Sequence, residues 1–263
     1  QLPEPYQREV RELLVERAAD VDRFIALNSS YADRMQKILC CGQDRVTVIP
    51  HGIDPDGFPK KSPDLMARRA SRGDRRVIGY LARACPEKGL DQVIRATALL
   101  VERGMDVELV AAGATIPAEE EYLSGCHRLA EELGISHRFH WQGQIDRNSK
   151  MKLLNEIDVF VMPTPVPEAK GIPVIEAMAA GVPVVASASG AFPELLGIQE
   201  SLPAGEVHVP GDIVDLTRCI EKVLRDATLA AELGLAGHTR VTQRYQSHHM
   251  AAAHESLYEA MQK

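Results

Sequence analysis

From residue 77 onward, short apolar runs alternate with longer stretches whose apolar positions recur at helical spacing. VIGYLA (77–82), DVELVAAG (106–113), RFHWQG (138–143), DVFVMP (158–163) and VPVVAS (182–187) read as strands. Helical stretches fall between them over 90–103, 117–133 and 147–156, with another opening at Pro173 and ending near Gly181. Strands alternating with helices in this way predict a parallel sheet with helices on both faces, a Rossmann-like α/β arrangement. The remaining pattern predicts a short strand at 206–210, a helix over 212–225, shorter helices to 243 and a last helix over 247–262. Upstream it predicts a helix over 7–19, a strand in DRFIALN (22–28), a helix in SSYADRMQKILCCG (29–42) with a serine N-cap, and a strand in RVTVIP (45–50).

The connection between the strands at 158–163 and 182–187 carries the most chemistry. It runs EAKGIPVIE from Glu168 to Glu176. Proline presets a first helical position, which puts the helix start at Pro173, and Gly171 lets a ligand approach the backbone closely. The amides of Ile172, Val174 and Ile175 then lack partners within the helix, and with the helix dipole they favour an anion such as phosphate. Glu176, read as part of the first turn, has two acceptor oxygens for the hydroxyls of a ribose diol. Glu168 precedes the helix at the carboxyl end of its strand, the edge where open parallel sheets bind ligands. The plain alternative makes Glu168 a solvated loop residue and Glu176 a favourable acid near a helix start.

A second strand-to-helix loop adds cations. VIGYLA is followed by Arg83, Ala84, Cys85, Pro86, Glu87, Lys88 and Gly89, and a helix then begins at Leu90. Arg83 can grip phosphate oxygens through its planar fork and Lys88 can add a compact charge, so a diphosphate held between the two loops is neutralised without a metal ion.

GYLARACPEKG together with DVFVMPTPVPEAKGIPVIEAMAAGVPVVASASGAFPELL resembles the donor half of the retaining glycosyltransferases of family 4 (group 1), which have the GT-B fold. The resemblance covers 59 to 263. Its most specific part is a pair of glutamates separated by seven residues and followed by AMAAGVPVVAS, with Arg83 and Lys88 at the family's five-residue separation. It implies a hexosyltransferase that moves a sugar from a nucleotide-diphosphate sugar, UDP or GDP foremost, to an acceptor hydroxyl, with no cofactor or metal. Residue by residue, it implies that Arg83 and Lys88 bind the diphosphate and steady the leaving group. Glu168 would orient the donor sugar without forming a covalent bond to it, and Glu176 would take the ribose. The backbone of Gly171, Ile172 and Pro173 would line the sugar and phosphate. Gln142 and Gly143, after the strand that holds Trp141, would lie beside the base; core packing of this sole tryptophan is the other reading, and both stand. Lys170 occupies a position where many members carry an aromatic residue, which leaves the sugar open.

The same resemblance divides the chain into 1–58, the C-terminal part of an acceptor-side Rossmann-like domain with its interdomain connection; 59–245, the donor-binding Rossmann-like domain; and 246–263, a helix crossing back to the first domain. A carbohydrate or lipid-linked acceptor would meet mainly the first domain, and two Rossmann-like halves at roughly 150 residues each exceed this chain. A module that binds a nucleotide sugar without transferring it shares these residues. A GT-B-like sugar-nucleotide epimerase shares the architecture but is not expected to show this glutamate spacing with GIPVIEAMAAG.

Composition narrows the partners. A formal charge of −7 argues against nucleic acid, although RRASRGDRR (68–76) is locally basic, a linker or an anionic-membrane contact. No apolar segment approaches a membrane span, and five cysteines without metal-ligand spacing fit reduced thiols, so a cytoplasmic protein with peripheral contact at the inner membrane face is expected. Asp54-Pro55-Asp56 imitates a metal-binding pair of acids, but proline between them and Gly52 and Gly57 around them read as a turn. His248, His249 and His254 lack the four-residue register of a zinc helix and read as surface residues.

Overall fold

The structure is a computed structural model that describes residues 3–58 and 73–262. Residues 68–72 of the basic stretch, and the expected boundary at 58 and 59, therefore fall at or outside the described residues. In the upstream part, β1 (Phe24–Ala26) and β2 (Val46–Val48) pair in parallel, with α1 (Glu4–Ala18) and α2 (Ser29–Leu39) beside them. The remainder is one six-stranded sheet: β3 (Arg76–Leu81), β4 (Val107–Ala112), β5 (Phe139–Trp141), β6 (Val159–Met162), β7 (Val184–Ser187) and β8 (Gly205–His208). Every strand pairing in it is parallel, and the order is β5-β4-β3-β6-β7-β8. The chain walks outward from β3 to β5, returns to the middle at β6, and walks the other way to β8. The reversal between β3 and β6 is the topological switch point at which doubly wound sheets open a ligand crevice.

The period-two rule shows directly in the two cores. Leu81, Phe160, Met162, Val184 and Ala186 point to one face with α5 (Arg147–Glu156), α6 (Ile172–Ala179) and α9 (Ala227–Arg244). Ile78, Tyr80, Val159, Val161 and Val185 point to the other, against α3 (Leu90–Glu102), α4 (Glu120–Glu132) and α8 (Ile213–Arg225). Both faces are covered, which is why β6 and β7 are buried at every position and apolar at all but Ser187. α7 (Phe192–Leu195) is a single turn after β7, and α10 (Ser247–Met261) ends the described chain. Just before α10 the chain joins the upstream part: Ile53 donates to the Tyr245 carbonyl at 2.9 Å, and Ser247 donates to that of Ile53 at 2.8 Å.

Three expectations are corrected. The N-cap of α2 is Asn28, not a serine, because the carboxamide oxygen reaches the third helical amide, that of Tyr31, at 2.9 Å. The shorter helices expected up to 243 are one helix, α9. Within it Gly234 is a close-approach site: a Cβ there would sit 2.3 Å from the Gly181 carbonyl oxygen. The helix after Glu168 begins at Ile172, so Pro173 is its second residue and Gly171, at φ 64°, caps it. Glu176 therefore stands one residue beyond the first turn.

A charged knot ties α9 to the segment between α7 and β8. Arg240 is buried and pairs with Glu200 at 2.7 Å, and Arg244 adds a second contact at 2.9 Å. Hydrogen bonds first from Arg240 and then from Arg244 hold the Glu200 carboxyl down at about 2. A depressed carboxylate stabilises the fold above its ordinary range and loses that contribution as the pH falls toward its folded value. The gap in melting temperature between the wild type and Glu200→Gln is therefore expected to be full at pH 7 and to close between pH 4 and pH 2. A gap constant over that range would remove the pair from the pH dependence.

Candidate functional site

Because all six strands run the same way, every loop that leaves a strand end emerges at one rim of the sheet. That rim receives 82–89 after β3, 113–119 after β4, 142–146 after β5 and 163–171 after β6. The sequence-predicted residues lie in those loops and at the start of α6. The two loops that flank the switch point are in direct contact. Lys88, at the end of a short 3-10 turn (Pro86–Lys88), is ion-paired with Glu168 from the loop after β6. Both side chains are mostly withdrawn from solvent, at 26% and 19% exposure, so the pair is screened far less than a surface one. The second Glu168 oxygen accepts from the amides of Ala169 and Lys170, each at 3.2 Å. Burial alone would raise the Glu168 pKa; the Lys88 hydrogen bond and charge, with those two amides, outweigh it and hold the carboxyl below its ordinary value.

The start of α6 offers fewer amides than its sequence suggests. Val174 and Ile175 both donate to the Gly171 carbonyl, at 2.9 and 3.1 Å, because the turn at Gly171 folds that carbonyl over the first helical residues. Pro173 has no N–H, which leaves the amides of Gly171 and Ile172 to meet an anion. Gly171 is also fixed from behind: a Cβ there would lie 2.4 Å from Leu195 Cδ1.

The other candidates are distributed around this centre. Arg83 extends toward the loop after β4 and pairs with Glu119 at 2.5 Å through one terminal nitrogen. Its side chain is half exposed while Glu119 is nearly buried, and the guanidinium carries further N–H donors beyond the one that Glu119 takes. Glu176 pairs with Lys150 on α5. Gln142 donates its amide to Ala111 at 2.9 Å and the Gly143 carbonyl accepts from Gly113 at 2.9 Å, which seats this loop beside the one after β4. Trp141 is partly exposed and packs against the Tyr80 face of the core, so its own ring belongs to the packing. The Lys170 side chain is exposed.

Glu119, Lys150 and Asn28 are the partners that sequence reading missed. Glu119 and Lys150 belong to ordinary polar helix starts, and only the sheet order brings those starts to the rim. The Asn28 signal was present in the run Asn-Ser-Ser, in which three adjacent residues are all good caps. Asp54 turns back on its own chain and accepts from the Asp56 amide at 3.0 Å, as the turn reading expects. The His248 and His249 rings meet in a tilted contact with centroids 4.0 Å apart, and among the described residues no group of three His, Cys, Asp or Glu side chains is arranged to hold a metal.

Comparison with known proteins identifies the family and the fold. The family model described as glycosyl transferases group 1 matches residues 61–240. A GDP-mannose-dependent alpha-(1-6)-phosphatidylinositol monomannoside mannosyltransferase of Mycolicibacterium smegmatis is 34% identical over 72% of this chain and 50% of its own length. An MMP alpha-(1->4)-mannosyltransferase of Mycolicibacterium hassiacum is 27% identical over 92% of this chain and 55% of its own. The chain thus spans about half the length of these curated relatives. Among solved structures, Anabaena Alr3699/HepE in complex with UDP and glucose superimposes with a TM-score of 0.76 at 22% identity, over 92% of this chain and 63% of that one, a likeness of fold. A parallel sheet of doubly wound order, a family match across most of it and a relative this similar establish that the chain belongs to the glycosyl transferases group 1 family, with the GT-B fold.

Proposed function

We propose that this chain is the donor-binding half of a retaining glycosyltransferase that takes a hexose from UDP or GDP and passes it to a hydroxyl of a carbohydrate or lipid-linked acceptor, without a metal ion. The observation that carries the reading is the ion pair of Lys88 with Glu168 across the switch point, three residues before the cap of α6. It brings a cation and a carboxylate to the rim of the sheet where the loop leads into Gly171 and Ile172, the groups this reading assigns to the donor. In this reading 59–245 holds the donor, 1–58 belongs to the acceptor side, and 246–263 returns to it.

The diphosphate would lie between Lys88, the remaining donors of Arg83 and the start of α6. As the bond from the anomeric carbon to the diphosphate breaks, negative charge gathers on the leaving phosphate, and these fixed donors stabilise it more than they stabilise the ground state. Glu168, kept ionised by Lys88 and two amides, accepts hydrogen bonds from sugar hydroxyls and sets the ring's orientation. Glu176, steadied by Lys150, takes the ribose diol. The acceptor hydroxyl approaches on the face from which the diphosphate leaves.

The choice between UDP and GDP is open to a direct measurement. A ligand that binds only the folded chain raises its stability, by about 2.7 kcal/mol at a hundredfold excess over Kd. Thermal melts with UDP, GDP, ADP and their common sugar conjugates are expected to show an upward shift with one base class, uridine or guanosine, and a larger shift with its conjugate. Absence of any shift across the set would defeat the proposal.

A further inference from the structure

The loop that carries Glu168 is held from outside itself at three consecutive carbonyls. The hydroxyl of Tyr31 donates to the Pro167 carbonyl at 3.0 Å. The Ala191 amide, from the turn after β7, donates to the Glu168 carbonyl at 2.8 Å. The Asn28 side-chain amide donates to the Ala169 carbonyl at 2.8 Å. Two of these three donors come from the upstream part of the chain, and in sequence they stand 136 and 141 residues from their acceptors. A fourth contact also has its donor upstream: Glu194, on α7, accepts from the Ser29 amide at 2.8 Å and so adds a carboxylate to the start of α2.

Asn28 is the centre of this arrangement. It is 1% exposed, and its two polar ends do different jobs. The oxygen caps α2 through the Tyr31 amide, which obliges the nitrogen to face an acceptor, and the acceptor it faces is Ala169. The same residue therefore ends a helix on the upstream side and fixes the backbone next to Glu168. Gly190 closes the loop from the opposite side: it sits at φ 61°, and a Cβ there would lie 2.3 Å from the Glu168 carbonyl oxygen.

Resting on the donor-site reading above, we infer that Asn28 is a positioning residue for the sugar subsite: it holds the Glu168 loop in the orientation that meets the donor sugar, and so makes sugar binding depend on how the upstream part is docked. Tyr31 supports it through the neighbouring carbonyl. The side-chain phosphate contacts depend on this link less than the sugar contacts do, because Arg83 and Lys88 stand on the β3 loop and only the amides of Gly171 and Ile172 follow the Glu168 loop.

The test separates the cap from the anchor. Asn28→Asp keeps an oxygen for the Tyr31 amide but replaces the donor to Ala169 with a second oxygen; Tyr31→Phe removes only the bond to Pro167. Calorimetric titration of each protein with UDP and GDP, and with UDP-glucose and GDP-mannose, measures how much tighter the conjugate binds than the bare diphosphate. In Asn28→Asp that advantage is expected to fall roughly tenfold, the scale of one buried hydrogen bond replaced by an unmatched pair of acceptors, while the affinity for bare diphosphate stays within about twofold. Tyr31→Phe is expected to move the same ratio in the same direction by less. A full conjugate advantage in Tyr31→Phe and in a folded Asn28→Asp overturns the positioning role and leaves the donor site standing, as does a wild type that binds diphosphate and conjugate equally. A wild type that binds neither UDP nor GDP overturns the donor site and this role with it.

Discussion

Lys88→Ala is expected to weaken nucleoside diphosphate binding by about 1.5–3 kcal/mol, one to two orders of magnitude in Kd, the scale of a lost charge-assisted hydrogen bond. Arg83→Ala is expected to weaken binding on a similar scale. Lys88 differs because its removal also strips Glu168 of its counter-charge in a largely buried place. In the wild type the Glu168 carboxyl is held below its ordinary value against the pull of burial, and the first influences that hold it there are the Lys88 hydrogen bond and charge. Without them its pKa moves upward from that position. The sign for stability follows: the wild-type pair stabilises the fold above the ordinary carboxylate range and loses that contribution as the pH falls through the depressed value. The stability gap between wild type and Lys88→Ala should therefore be largest near neutral pH and shrink in acid, as Glu168 takes up its proton in both proteins. Titration calorimetry with UDP and GDP measures the first effect and pH-dependent melts the second. Unchanged diphosphate affinity would remove Lys88 from the site, whatever the melts show.

How far the site was legible can be judged from these same residues. Arg83, Lys88, Glu168 and Glu176 stand out in the sequence because strand, loop and helix signals are local, and because a parallel sheet sends every such loop to one rim. The strand and helix positions held to within a few residues for the same reason. What local signals do not carry is which partner meets which. The Lys88 contact with Glu168 depends on β3 and β6 being neighbours although 77 residues lie between the ends of the two strands' spans, from Leu81 to Val159. The Asn28 contact with Ala169 depends on how two parts of the chain dock. The amides of Val174 and Ile175 were misjudged because the left-handed turn at Gly171 swings its carbonyl over them, a detail of backbone geometry that composition does not encode.

Arg240→Ala is expected to cost about 3–5 kcal/mol of folding stability, with a fall in Tm on the order of 10 °C for a chain of this size. The cost arises mainly at the carbonyls. Arg240 is 7% exposed, and its Nε and one terminal nitrogen donate to the carbonyls of Leu195 and Glu194 at 2.8 and 3.0 Å, closing the C-terminal end of α7. Alanine leaves both acceptors without that donor and opens a cavity where the buried stem lay. The partner Glu200 is nearly half exposed and contributes the smaller share, since water replaces part of what it loses and Arg244 stays paired with it. Arg240→Lys should rescue only a fraction, because an ammonium cannot match a fork that spans two carbonyls and a carboxylate at once. Function is tied to this knot through α7. Its Phe192 and Leu195 rest behind Gly171, and its Glu194 accepts from Ser29. A loosened α7 should therefore release the cap of α6 and the Glu168 loop together, and diphosphate affinity should fall even at temperatures where Arg240→Ala remains folded. Denaturant unfolding compared with calorimetry at 10 °C distinguishes the two effects. A variant destabilised as expected but binding diphosphate as tightly as the wild type would show that α7 supports the core without shaping the site.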